Sequence, residues 1–182
     1  MIQTSPFRVL FEKIRAANEI YQIKLPVSTK VLAPVFSQET IDLHYGTLYK
    51  NYVKKALAGE GEFQIAGAKL HTLFFEQFQA PSSSNNPRGI SEILITKKFD
   101  NYKTFKEEFM QIALDLKGAG WIYLSTSGTI KTINNHKVVD DIAVIVDLWE
   151  HSYILDYGAD KEKYLTDIWK IINWDIINTR LN

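Results

Sequence analysis

Residues 142–157, IAVIVDLWEHSYILDY, carry the change of texture on which the fold turns. Ile142–Val146 is an unbroken, β-branched apolar run, the pattern of a strand buried on both faces. It stops at Asp147, and His151 follows four residues later, so a carboxylate and an imidazole emerge together from the end of that strand. Upstream, Trp121–Ser125 and Thr129–Asn134 are β-rich segments flanking Ser127-Gly128, a hairpin signal. Helical spacing returns downstream, from about Lys161 to Asn173. The C-terminal lobe is therefore expected to be a small three-stranded antiparallel sheet flanked by helices.

The N-terminal half reads as helix. Ser37–Leu57 forms one long segment with Ser37 as N-cap, and His44, Leu48 and Tyr52 recur four residues apart on one face. Gly59 and Gly61 break the pattern, and a second helix runs from about Gln64 to Gln77, with Ala68, His71, Phe75 and Phe78 sharing a face. These two helices make an antiparallel hairpin with a histidine on each apolar face. Beyond it, Ser91–Phe99 reads as a short helix. Asp100 is then expected to cap a longer one, whose Phe105, Phe109, Ile112 and Leu116 keep helical spacing as far as Gly118. The proline-, serine- and asparagine-rich stretch Ala80–Gly89 reads as a linker. The expected organisation is an N-terminal extension over 1–24, a helical hairpin over 25–80, a linker over 81–89 and an α/β unit over 90–182. The fold class is α+β. In the extension, Phe7, Leu10, Phe11, Ile14, Ala17 and Tyr21 fall at helical spacing among Arg8, Lys13 and Arg15. That leaves organelle targeting open, but Glu12 and Glu19 count against it, and a packed surface helix is the expectation.

Composition narrows the function. The chain has 182 residues, 21 of them Lys or Arg and 21 Asp or Glu, so its formal net charge is zero. That balance argues against a protein living on nucleic-acid phosphates or anionic lipid. No apolar run approaches the roughly 18 residues a membrane helix needs, and a cytoplasmic location is expected. Cysteine is absent, which removes disulfides, thiolate metal sites and cysteine nucleophiles together.

Any metal must then be held by nitrogen and oxygen. The chain has only four histidines, His44, His71, His136 and His151. Each alone reads as readily as a packed core residue. Together, two on facing helices and one paired with Asp147 give three imidazoles and a carboxylate, a set that suits iron, manganese, zinc or copper. Zinc hydrolysis on these ligands is the weaker reading, because no motif such as His-Glu-x-x-His supplies a free general base.

The stretch Asp147–Tyr153, followed by Asp156-Tyr157, resembles the Asp-x-Trp-Glu-His-Ala-Tyr signature of the iron/manganese superoxide dismutases. The resemblance continues through Tyr164-Leu165, Ile168-Trp169 and Ile172-Asn173-Trp174. Gly118-Ala119-Gly120-Trp121 looks like that family's Gly-Ser-Gly-Trp turn. His44 with Tyr52 resembles its first-helix ligand and gateway tyrosine, and His71-Thr72-Leu73-Phe74-Phe75 its second-helix ligand segment. Leu25-Pro26 resembles the opening of its core, so the likeness spans about Leu25 to Thr179 and leaves the extension unexplained.

The resemblance implies one iron or manganese ion per subunit, held by His44, His71, Asp147 and His151 with a solvent molecule as fifth ligand. It implies superoxide as substrate and alternation of the metal between trivalent and divalent states. Tyr52 and His136 would carry the proton network, and Trp121 and Trp149 its apolar wall. Glu150 would reach across a two-fold axis to the partner's ligand histidine, giving a homodimer through Glu150 and His151. Iron is preferred, by analogy with relatives bearing histidine at the place of His136, and use of either metal stays open. Several positions depart from the pattern. Gly67 stands where one branch carries a glutamine, and Asn135-His136 where the other has Asn-Gln. Leu48 replaces a histidine that would meet a tyrosine, matched here by Tyr153, across the interface. Thr47 replaces a lysine, Leu70 an asparagine, and Phe75 and Tyr123 replace tryptophans. Lys161 stands in for a funnel arginine, keeping charge but not the guanidinium fork. These changes keep a second reading in play, a non-catalytic metal- or partner-binding protein of the same fold.

Overall fold

A computed structural model describes residues 20–182. The expected N-terminal helix falls largely on residues 1–19, outside the described residues, and 20–24 form no helix. The first long rod comprises α1 (Gln38–Leu43), a π-helical stretch His44–Tyr49 and α2 (Lys50–Leu57), running without a break. Ser37 caps it as expected, its side chain accepting the Thr40 N–H at 3.1 Å. The π-helical stretch departs from the simple four-residue ladder. Its wider turn brings Tyr49 into the core beside His44, both 1% exposed or less, and leaves Leu48 only half-buried. Gly59 and Gly61, at φ +78° and +104°, turn the chain into the antiparallel α3 (Glu62–Glu76).

Residues 77–89 contain no helix, but they are tied down. Phe78 bridges to Ile172, Gln79 N–H donates to the Ile171 carbonyl, and the Asn85 amide donates to the carbonyls of Trp169 and Ile172. Two helices follow, α4 (Ile90–Phe99) and α5 (Tyr102–Asp115). Asn101, not Asp100, caps α5: its side chain accepts the Thr104 N–H from an extended backbone. Asp100 stands at φ +70° as the terminating residue of α4, a left-handed conformation that cannot also supply the extended cap.

The sheet contains β1 (Gly120–Ser125), β2 (Ile130–Asn134) and β3 (Ile142–Asp147), antiparallel throughout in the order β2-β1-β3. Every residue of β3 is buried, as its apolar run predicts, yet β3 is an edge strand. Side chains close that edge. Gln77 both donates to the Ile145 carbonyl and accepts its N–H, and Arg180 donates to the Ala143 carbonyl at 2.9 Å. The backbone groups of a buried edge need partners, and here an amide and a guanidinium supply them. After β3 come a 3-10 turn (Glu150–Ser152), α6 (Ile154–Tyr157), α7 (Lys161–Asp167), a second 3-10 turn (Ile168–Ile171) and α8 (Trp174–Leu181). Phe36, Phe74, Phe78, Trp121 and Tyr164 lock the hairpin to the sheet in one core. The floor of that junction is the C-terminal end of β3.

Candidate metal centre

Four ligand-bearing side chains meet at this floor. His44 opens the π-helical stretch, His71 lies in α3, Asp147 ends β3 and His151 sits in the 3-10 turn after it. Their ligand atoms all lie within 4.8 Å of one another. Asp147 Oδ2 is the hub, with the Nε2 atoms of His44, His151 and His71 at 3.1, 3.3 and 3.7 Å. None of these four atoms finds a hydrogen-bond partner in the protein, although all are buried. Four orphaned polar atoms aimed at one point are what a bound cation would satisfy. The spacing agrees: two donors each about 2.1 Å from a shared ion are ~3.0 Å apart at a right angle and ~3.6 Å apart at 120°.

Hydrogen bonds behind the ligands fix their orientation. His71 Nδ1 lies 2.7 Å from the Gly67 carbonyl, which can only accept, so Nδ1 carries the proton and Nε2 presents its lone pair. Asp147 Oδ1 accepts the Trp149 N–H at 2.9 Å, which leaves Oδ2 for the cluster. The Asp147 main-chain carbonyl accepts from the Tyr164 and Ser152 hydroxyls. Burial pushes the pKa of His44 down and that of His71 well down, keeping both imidazoles neutral. Burial alone would raise Asp147. The adjacent His151 and His44 outweigh it and hold the carboxyl below the usual carboxylate range.

Behind the ligands stands a second ring of side chains. His136, in the loop after β2, is only 5% exposed. Trp121 Nε1 donates to its Nδ1 at 3.0 Å. Indole nitrogen is a donor only, so neutral His136 must carry its proton on Nε2, a buried atom with no other partner. Burial lowers its pKa to about 4, so this neutral donor form persists at pH 7. The His136 ring stacks on Trp149 at 4.8 Å and meets Tyr52 edge-on at 4.9 Å. Tyr52 in turn stacks on His71 at 5.0 Å. Among the described residues, the Glu150 carboxylate forms no ion pair with the ligand histidines, although it adjoins His151 in the chain. It is exposed, on the rim of a pocket of about 460 Å³ shared with His151, Tyr153 and Lys161. Lys161 donates to the Ala113 carbonyl at 3.0 Å.

All nine sequence-derived candidates thus lie in or beside this site: the four ligands cluster, Tyr52, His136, Trp121 and Trp149 surround them, and Glu150 stands at the rim. Two residues have roles here that the sequence reading did not give them. Gly67 supplies the carbonyl that orients His71, and an added Cβ there would come within 2.6 Å of the Tyr52 ring. A glycine inside an otherwise helical pattern was the available signal. Phe63 packs against His136 with ring centroids 4.6 Å apart, and no spacing rule marks it.

Comparison with known proteins agrees with this geometry. The family model described as the C-terminal domain of iron/manganese superoxide dismutases matches residues 87–180. An iron superoxide dismutase of Bacteroides fragilis is 33% identical over 187 aligned positions, covering 87% of this chain and 97% of that protein. A manganese/iron superoxide dismutase of Porphyromonas gingivalis is 32% identical, with 87% and 97% covered. An iron superoxide dismutase of Pyrobaculum aerophilum is 30% identical, with 86% and 89% covered. The helical hairpin, the three-stranded sheet and the buried three-histidine, one-aspartate cluster at their junction place this chain in the iron/manganese superoxide dismutase family.

Proposed function

We propose that this chain disproportionates two superoxide anions and two protons to dioxygen and hydrogen peroxide, at one iron or manganese ion held by His44, His71, Asp147 and His151. The observation that carries this reading is the convergence of three orphaned imidazole nitrogens on the equally orphaned Asp147 Oδ2, with His136 and Tyr52 packed beside them. A bound ion of either metal supplies the one-electron oxidation of one superoxide and the one-electron reduction of the next. The protein supplies everything else. One carboxylate and three neutral imidazoles leave a divalent or trivalent ion with net positive charge, which favours an anionic substrate. His136 Nε2–H and the Tyr52 hydroxyl are the donors placed to deliver protons to reduced dioxygen. Burial raises the Tyr52 pKa, so the hydroxyl keeps its proton at neutral pH. Trp121 and Trp149 wall the donors in and hold the His136 ring in place.

The proposal extends to a cytoplasmic homodimer. Exposed Glu150 stands one residue from the ligand His151, beside a pocket wide enough to receive a partner's side chains. Iron comes first, by analogy with relatives bearing histidine at the place of His136, and use of either metal stays open, as the relatives named for iron and for manganese/iron suggest. A metal-binding protein without turnover is the second reading, favoured by the apolar Leu48 beside Tyr52. Superoxide dismutation per bound metal, on matched iron- and manganese-loaded preparations, separates the two. Turnover well above the free ion supports the enzyme, and stoichiometric binding with no such turnover overturns it. Asp147→Ala and His151→Ala should lose metal retention and activity together, and full activity in either variant would refute the ligand assignment.

A further inference from the structure

A mostly apolar groove of about 300 Å³ lies between α3 and the loop after β2, and none of the four ligands lines it. Ala68 and Leu73 belong to its α3 wall, and Val138 and Val139 to its loop wall, where Val138 is left 46% exposed. Ile20, the residue at which the described chain begins, is also part of the lining. The chain is pinned just beyond that point. The Tyr49 hydroxyl accepts the Ile23 N–H at 3.2 Å, the Tyr45 hydroxyl donates to the Ile23 carbonyl at 2.6 Å, and the Gln22 amide donates to the Tyr45 carbonyl at 2.8 Å. Whatever precedes Ile20 therefore departs from the groove itself. Residues 1–19 do so, upstream of Leu25, where the family resemblance begins. Within them, Ser5-Pro6 is the N-cap and first-turn pair that opens helices, and Phe7, Leu10, Phe11, Ile14 and Ala17 follow at helical spacing. With a rise of 1.5 Å per residue, Ala17 and Ile14 of such a helix stand only about 5 and 9 Å along it from Ile20.

We propose that residues 7–17 close this groove as an amphipathic helix, with Ile14 and Ala17 seated against Leu73 and Val138. The occupant is this chain's own segment, because it starts at the groove and carries the apolar stripe that the groove's apolar walls call for. Val138 and Val139 continue the loop that carries His136, so the docked helix ties that loop to α3, which carries His71. The proposal does not depend on the dismutase reading.

The chain has no cysteine, so a single introduced thiol reports on the segment alone. Positions 12 and 14 lie about 200° apart on a helix of 3.6 residues per turn, so one faces water when the other faces the groove. In the metal-loaded full chain, Ile14→Cys should react with a thiol reagent about tenfold more slowly than in the urea-unfolded chain, whereas Glu12→Cys should react near its unfolded rate. Adding Val138→Asp, a substitution on an exposed loop, should return Ile14→Cys toward the unfolded rate. Val138→Leu should keep it protected, and so should Ile93→Asp, which places the same charge on an exposed apolar position of α4 outside the groove. Equal reactivity of the two cysteines, protection indifferent to Val138→Asp, or protection lost with Ile93→Asp as well, would overturn the proposal. Protection lost on about hundredfold dilution would overturn it by assigning the groove to a second copy of the chain. Protection that appears only with anionic lipid vesicles would overturn it by assigning the stripe to a membrane surface. All of these outcomes leave the metal centre and its proposed activity untouched.

Discussion

Gly67→Ala sets a favourable local change against an unfavourable contact, and the structure says which wins. Gly67 lies in the interior of α3, where alanine is worth about 1 kcal/mol over glycine. The added Cβ would stand 2.6 Å from Tyr52 Cδ1 and 2.9 Å from Cε1, against an ordinary contact that begins at 3.4 Å. The ring must retreat by roughly 0.8 Å. It has little room, with His71 against one face at 5.0 Å and His136 at its edge at 4.9 Å. Overpacking of this kind costs about 1–3 kcal/mol, so the net effect is a loss of up to about 2 kcal/mol, with each kcal/mol worth about 2–4 °C in Tm. On the proposed function, displacing the Tyr52 hydroxyl by most of an ångström should lower dismutation per metal by about 10- to 100-fold, with metal content unchanged because Gly67 keeps its carbonyl. The decisive assay is a double-mutant cycle by urea unfolding. In a Tyr52→Ala background the clash is gone, and Gly67→Ala should stabilise by about 1 kcal/mol. If Gly67→Ala stabilises equally in both backgrounds and leaves activity intact, the close approach of Tyr52 to α3 is wrong.

Other perturbations test other parts of the site. Trp121→Phe removes the donor that fixes the His136 tautomer, and should cut activity per metal about tenfold while metal stays bound; unchanged activity would free His136 from that dependence. Gln77→Ala strips both partners from Ile145 on the buried edge of β3, and should cost about 2–4 kcal/mol in urea unfolding; a smaller loss would mean that the edge is satisfied some other way. Acid should destabilise the metal-free protein. His44, His71 and His136 are all held below 6.5, with His136 near 4, so below about 6.5 the unfolded chain takes up protons that the fold refuses. Its urea midpoint should fall between pH 7 and 4.5, and a flat profile would contradict neutral burial of these rings.

Much of the site was legible because its chemistry leaves few alternatives in the sequence. With no cysteine and four histidines, nitrogen and oxygen ligands had to come from few places, and Asp147 and His151 mark the end of an obvious strand. What remained hidden depends on contacts distant in sequence. The π-helical stretch at His44–Tyr49 goes with a core position for Tyr49, where its hydroxyl meets Thr72 at 2.7 Å, 23 residues away. An apolar run buried on both faces cannot distinguish a central strand from a covered edge, and the cover comes from Gln77 and Arg180, 68 and 37 residues from the groups they bond. Asp100 and Asn101 are equally good caps by residue type, and only the left-handed turn ending α4 decides between them.

The placement of Asp147 also explains why metal and fold should be inseparable here. Its carboxylate is the hub of the cluster, its main-chain carbonyl is held by Tyr164 and Ser152, and its strand is joined to α3 and α8 through Gln77 and Arg180. Without an ion, a carboxylate oxygen and three imidazole nitrogens are buried at this junction with nothing to satisfy them. Each such group costs about 1–3 kcal/mol, a large share of the 5–15 kcal/mol that keeps a typical domain folded. A cation bound only by the folded state returns that energy in proportion to the logarithm of its concentration over its Kd. A site built this way selects first for the presence of a cation and only secondarily for its identity. On the proposed reading that choice would fall to the surrounding donors: His136 Nε2, set by Trp121, and the Tyr52 hydroxyl, set by the missing Cβ of Gly67.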